Sequence, residues 1–254
     1  MSEPIYTGAI GAGRAMFGLL RVKPIVSGAS NIPDHGGAVI AMTHFGYFEF
    51  ALVEWVTWLH NRRRIRFMAK KPVFDKAVVG WLMRSMKHIS VDMTAGADAY
   101  AAAVAALRKG ELIGVFPEAG VSASFTVRDL KTGAARLAAE AGVPLIPVAI
   151  WGGQRLMTKG HKVGMLERFG VPVSFAIGAP LSVAGDPREV TEELRASLES
   201  LVAGLQAEYP VDGAGQWWQP RELGGTAMSR EDATTLEAEL KARRAARSAP
   251  SQPS

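Results

Sequence analysis

The sequence predicts an α/β fold: a single domain with a mixed, mostly parallel sheet flanked by helices, preceded by a short amphipathic N-terminal helix. Three observations carry this. Short apolar runs rich in β-formers, AVIAM at 38–42, LIGVF at 112–116 and VPLIPVAIW at 143–151, recur along the chain. Between them lie stretches whose apolar residues repeat at helical spacing, so strands alternate with helices. The chain has 254 residues, 48% of them hydrophobic, enough for one large domain. The organisation expected is a membrane-surface helix over 1–21, a main domain over 22–210, and a C-terminal extension over 211–254 with a disordered end.

Taken in order, residues 6–20 carry Ile10, Met16, Phe17, Leu19 and Leu20 with Arg14 as the one charge, and Arg21 and Lys23 follow. This is an amphipathic helix with a basic end, and it has two readings. It lies on an anionic membrane surface, or it packs on its own domain, which would offset the helix-weakening glycines 8, 11, 13 and 18. Gly11 to Gly13 is no dinucleotide loop, since no strand precedes it and the third glycine of that fingerprint is missing. Residues 22–26 form a first strand and 38–42 a buried one. A helix follows, marked by Phe48, Leu52, Trp55, Val56 and Leu59. The basic cluster Arg62, Arg63, Arg64 and Arg66 lacks the aromatic interleaving of a nucleic-acid surface, which leaves a solvated loop or a phosphate contact.

Residues 65–69 and 88–91 read as strands, 73–86 as one strongly apolar helix, and 97–109 as an alanine-rich helix stopped by Gly110. Residues 129–141 make a further helix ended by Gly142, and 163–167 and 171–177 are candidate peripheral strands. Asp186-Pro187 introduces an amphipathic helix over 191–207. Trp217 and Trp218 suit a membrane interface or a return onto the domain, and a helix over 231–247 precedes a Ser/Pro tail.

Composition sets limits on function. Without cysteine there is no disulfide, thiolate metal site or thiol nucleophile. A net charge of +5 and an isoelectric point near 9.6 suit an anionic partner: nucleic acid, an acidic membrane surface or a phosphorylated small molecule. No apolar run reaches the roughly 18 residues that span a bilayer, and no signal peptide is evident, so the expected location is cytosolic or on a membrane face. No His/Asp/Glu cluster has metal-ligand spacing, and neither a metal nor another cofactor is expected.

The chemistry concentrates in two places. THFGYFEF at 43–50 sets His44 at a strand-to-helix turn and Glu49 about one helical turn later, from where a carboxylate can reach back to orient an imidazole base. The alternative is a capping histidine beside a solvated acid. The strand at 112–116 delivers Pro117, Glu118, Ala119 and Gly120 to its carboxyl end, the edge where open α/β sheets bind ligands. Glu118 there is either a ligand-facing acid or a loop acid holding backbone N–H groups, two roles that can coexist. GVSAS around Ser122 lacks the nucleophile elbow of a serine hydrolase.

Four stretches in this order, THFGYFE from Thr43, KKPVFDKAVVGWLMRSMKHISVDM from Lys70, VFPEAG from Val115 and KTGAARLAAEAGVPLIPVAIWG from Lys131, resemble the glycerolipid acyltransferases typified by 1-acylglycerol-3-phosphate acyltransferase. The resemblance runs over 22–151 and more weakly to 205. It implies a peripheral enzyme of the cytoplasmic membrane face with no transmembrane span. The reaction would move a fatty acyl group from acyl-CoA or acyl-carrier protein to the hydroxyl of a lysophospholipid. His44 becomes the base, Glu49 its orienter in place of the family's aspartate, and Glu118, Gly120, Lys131 and Lys70 become acceptor-binding or site-shaping residues. Two family arginines that meet an acceptor phosphate correspond to Met93 and Val121. That departure leaves open a different acceptor, cations from Lys70, Lys71, Lys76, Lys131 or Arg128, or a lipid-binding homologue without catalysis. Backbone N–H groups near Gly120 or after Val148 are the candidates for an oxyanion hole.

Overall fold

A computed structural model describes residues 3–92 and 96–248. In chain order these are helix α1 (Pro4–Leu19), strand β1 (Lys23–Ser27), β2 (Ala38–Met42), α2 (Glu49–Asn61), β3 (Ile65–Lys70), α3 (Lys71–Phe74), α4 (Ala77–Ser85) and β4 (Ile89–Val91). Then come α5 (Gly96–Arg108), β5 (Leu112–Val115), α6 (Gly133–Ala141), β6 (Leu145–Trp151), β7 (Pro172–Ile177), α7 (Pro187–Ala207) and α8 (Arg230–Ser248). The strands form one seven-stranded sheet in the order β1-β7-β6-β2-β5-β3-β4. Every neighbouring pair is parallel except β6 and β7, so the sheet is mixed and mostly parallel, as expected.

β2 sits between β5 and β6 and is buried on both faces, which is why AVIAM reads as a continuous apolar run. Its side chains alternate between two cores. Val39 and Ala41 join Leu107, Leu137 and Leu194 of α5, α6 and α7, whereas Ala38, Ile40 and Met42 join Phe17 and Leu52 of α1 and α2. Burying these layers on either side of the sheet supplies the main driving force for the fold. The parallel register pairs Ala41 with Val115 and Met42 with Val148, so the loops leaving β2, β5 and β6 emerge together at one edge.

Several expectations are corrected. The apolar stretch 73–86 is two helices, α3 and α4, meeting at Asp75 and Lys76. The turn is close because Gly80 has no side chain to strike the Phe74 carbonyl, and Arg84 Nη1 donates to that carbonyl at 2.9 Å. Residues 163–167 form no strand but a loop with a 3-10 turn at Leu166–Arg168. β7 is not peripheral, since it lies between β1 and β6. Helix α6 begins at Gly133 rather than 129, because the Lys131 amide is committed to the Pro117 carbonyl at 3.0 Å. Helix α7 starts earlier than expected, at Pro187, with the Asp186 carboxylate accepting from the Arg188 amide at 2.7 Å as its cap.

Of the two readings of α1, the packed one describes its buried face. Phe17 stacks on Trp55 at 5.5 Å, and the Tyr6 hydroxyl donates to Glu54 Oε2 at 3.0 Å. Trp218 folds back onto the domain against Tyr209, and Trp217 stacks on His161 at 3.8 Å. The arginine cluster is structural rather than a phosphate contact. Arg66 is buried between Glu3 and Glu111, Arg63 binds the carbonyls of Pro33 and Gly36, and Arg62 and Arg64 lie over the Trp58 ring. The expected disordered tail and Met93 lie outside the described residues, apart from α8 itself.

Candidate active site

The loop after β2 carries His44, and its backbone is tied on every side. The Thr43 amide donates to the Val148 carbonyl, the Ser122 amide to the His44 carbonyl at 2.7 Å, and the Thr158 hydroxyl to the Phe45 carbonyl at 2.6 Å. Glu49 is the first residue of α2, not one turn inside it, so its side chain turns back over the loop. Its Oε2 lies 3.1 Å from His44 Nδ1, and both oxygens accept from the Phe45 amide, at 3.0 and 2.9 Å. With Nδ1 facing the carboxylate, Nε2 is the nitrogen left to take a proton. The ring is clamped a second time by Phe116, stacked 4.0 Å away and 25° from parallel.

The extra methylene of glutamate relative to aspartate has a place. A side chain on Gly153 would begin 3.2 Å from Glu49 Cγ, so the glycine after β6 leaves the volume that Cγ uses. The same loop approaches Gly46 so closely that a Cβ there would meet the Gly153 backbone at 2.7 Å. Neither contact was legible in advance; the only sequence signal is the Gly-Gly pair that ends β6.

Burial governs the electrostatics. Desolvation pushes His44 down to about 4, the nearby Lys70 ammonium acts in the same direction, and a backbone hydrogen bond at Gly46 opposes them. The imidazole is therefore neutral, the form that accepts a proton, across the neutral pH range. Burial also pushes the Glu49 carboxyl up, against the backbone N–H groups of Phe45 and Gly46 that favour its charged form.

Glu118 stands beside His44 because β2 and β5 are adjacent and in register. Its Oε1 accepts from the His44 amide at 2.9 Å and its Oε2 from the Arg128 amide at 3.2 Å, so it performs the loop-holding role. Burial raises it to about 8, with those two amides opposing. Lys70 is exposed and reaches over the same loop, Nζ to the Ala119 carbonyl at 3.2 Å. Gly120 is half-buried in that loop, and the Arg128 guanidinium lies 3.7 Å from where its side chain would begin. Lys131 is brought there by its backbone bond to Pro117, with its side chain in solvent.

Val121 is buried, and Ser122 donates to the Thr126 carbonyl rather than meeting an imidazole. Two amides after Val148 are committed: Ile150 donates to Thr43 Oγ1 and Gly152 to Gln154 Oε1. Those two drop out as oxyanion donors. Among the described residues, no group of three or more acids, histidines or cysteines stands ready to hold a metal ion.

A family model described as Acyltransferase matches residues 23–151, just over half of the chain. The chain belongs to the acyltransferase family. Within it, the chain is 25% identical over 154 residues to the chloroplastic 1-acyl-sn-glycerol-3-phosphate acyltransferase BAT2 of Brassica napus, covering 59% of this chain and 43% of the relative. It is 24% identical over 151 residues to the chloroplastic LPAT1 of Arabidopsis thaliana, which bears the same enzyme name, covering 58% and 41%. An uncharacterized protein of Mycobacterium bovis, Mb0514, is 30% identical over 159 residues, with 58% and 42% covered. The chain thus spans less than half the length of these curated relatives. The crystal structure of the 1-acyl-sn-glycerophosphate acyltransferase PlsC of Thermotoga maritima superposes with a TM-score of 0.66 at 23% identity, covering 81% of each chain, and so shares the fold.

Proposed function

We propose that this protein moves a fatty acyl group from acyl-CoA or acyl-carrier protein to the free hydroxyl of a lysophospholipid, with 1-acylglycerol-3-phosphate, the acceptor in the names of its relatives, as the first candidate. The observation that carries the proposal is the imidazole of His44, held at Nδ1 by Glu49 with Nε2 left over, at a sheet edge where loops converge. In this mechanism His44 Nε2 removes the acceptor hydroxyl proton as the oxygen attacks the thioester carbonyl carbon. The tetrahedral oxyanion collapses, the C–S bond breaks, and the thiolate leaves and takes the proton. Glu49 stabilises the imidazolium formed on the way. An amide of the Gly120 loop faces the oxyanion, and Glu118, Lys70 and Lys131 shape the acceptor side.

Thiolate is a good leaving group, so the step draws on no cofactor besides the thioester co-substrate. Among the described residues no helix is long and apolar enough to cross a membrane. A peripheral position on the cytoplasmic membrane face fits the exposed Val78 and Trp81 of α4, flanked by Lys76 and Arg84, a pattern of apolar and basic groups suited to an anionic surface.

The test is thioester consumption by purified protein, wild type against His44→Ala, offered lysophosphatidate, neutral lysolipids and glycolipids. Transfer to lysophosphatidate that vanishes in His44→Ala supports the proposal. Transfer confined to unphosphorylated acceptors moves the substrate class, and lipid binding without transfer to any acceptor would leave a binding module in its place.

A further inference from the structure

Helix α8 lies against the same side of the domain and brings one acid to it. Arg128 grips Glu237 with both ends of its guanidinium, Nη1 to Oε1 at 2.8 Å and Nη2 to Oε2 at 2.6 Å, and Lys159 Nζ reaches Oε1 at 3.0 Å. The side chains of Lys159, Glu237 and Arg128 are 16%, 21% and 34% exposed, so the cluster is partly shielded from solvent. Nor is Arg128 remote from the candidate site. Its amide shares the Glu118 carboxyl with the His44 amide, and its guanidinium stands over Gly120. A guanidinium fork and an ammonium converging on one anion is the arrangement that recognises a phosphomonoester.

We propose that Arg128 and Lys159 form the receptor for the acceptor's phosphomonoester, and that Glu237 occupies it as an internal competitor which the substrate displaces. The inference rests on the acyl-transfer reading above. A phosphomonoester brings more negative charge and three acceptor oxygens where a carboxylate brings one charge and two, so the same cations favour the exchange. Among the described side chains of helix α8, Ala233 is buried, Leu236 rests against Gly160, Arg230 Nε donates to Thr126 Oγ1 at 3.1 Å, and Asp232 meets Arg221 at 3.6 Å as a solvent-exposed pair of the kind that contributes little. The buried Val121 then ceases to be a defect. The guanidinium arrives from further along the same loop.

The experiment pairs calorimetric titration with glycerol 3-phosphate and kinetics with lysophosphatidate. Glu237→Gln is expected to tighten glycerol 3-phosphate and lower KM for lysophosphatidate by about three- to tenfold. Adding Arg128→Gln abolishes glycerol 3-phosphate binding and raises KM about tenfold or more, with turnover recovered at saturating acceptor. Lys159→Gln moves both readouts in the same direction and, as a substitution on a separate loop, guards against a folding failure at Arg128. Equal glycerol 3-phosphate affinity in wild type, Glu237→Gln and the double variant overturns the receptor. If affinities follow the charges at 128, 159 and 237 but no protein acylates lysophosphatidate, the receptor stands and the acyl-transfer reading falls. Transfer that needs His44 yet ignores all three positions gives the reverse.

Discussion

His44 and His88 are both largely buried, and burial pushes both imidazoles down to about 4, yet their surroundings fit them for different work. His88 sits between the rings of Tyr6 and Phe67, and its Nδ1 accepts the Phe67 amide at 3.1 Å. That nitrogen is spent on closing a strand edge, and the support that the Glu3 carboxylate gives a positive ring is outweighed by burial and the Arg66 guanidinium. His44 turns Nδ1 to a carboxylate and keeps Nε2 for a proton, at the edge where β2, β5 and β6 end. A depressed pKa is thus a mark of burial; the partner at each ring nitrogen decides whether a histidine can serve as a base.

The sharpest way to break this comparison is to remove each ring. His44→Ala is expected to lower kcat/KM by about 10³- to 10⁴-fold with the fold intact, read by thioester consumption and circular dichroism. His88→Ala instead leaves activity largely in place and costs about 1–3 kcal/mol of stability in urea denaturation, because the Phe67 N–H loses its acceptor. Similar activity losses in the two variants would erase the distinction. Next in size, Glu49→Gln keeps the side chain's shape but removes the charge that supports an imidazolium, and about a 10²-fold loss in kcat is expected. A smaller step is Gly153→Ala. Its new methyl presses on Glu49 Cγ at 3.2 Å, and about a tenfold loss with unchanged KM would show that the glycine makes room for the orienting acid.

The smallest effects are read in pH. Both histidines have folded pKa values below the unfolded 6.5, so the unfolded state binds protons first as the pH falls from about 6.5 through about 4, and stability drops across that window. His88→Ala removes part of this slope without moving the acid limb of activity, which follows His44. Glu118 has the opposite sense. Its folded pKa of about 8 exceeds the usual 4.5, so stability is full below about 4.5 and declines as the pH rises through about 8. Glu118→Gln flattens that decline, measured as the urea midpoint between pH 5 and pH 9. It also sets an amide –NH2 opposite one of two backbone donors, and lowers stability by about 1–3 kcal/mol at pH 5.

The sequence alone determined the alternation of strands and helices, the burial of AVIAM and LIGVF, and the family resemblance, because apolar period and turn residues are local properties of the chain. It also singled out His44, Glu49 and Glu118, though it could not say that Glu118 bonds the His44 amide. It set Glu49 a turn too deep, since a helix's first residue is fixed by how the loop before it is tied down. It joined α3 and α4, because the break depends on a glycine meeting a distant carbonyl. Only the tertiary structure decided that Gly153 accommodates the longer acid and that Arg128, Lys159 and Glu237 meet. Those partners lie far apart in sequence, and only the packing of the β2, β5 and β6 loops with α8 brings them within bonding distance.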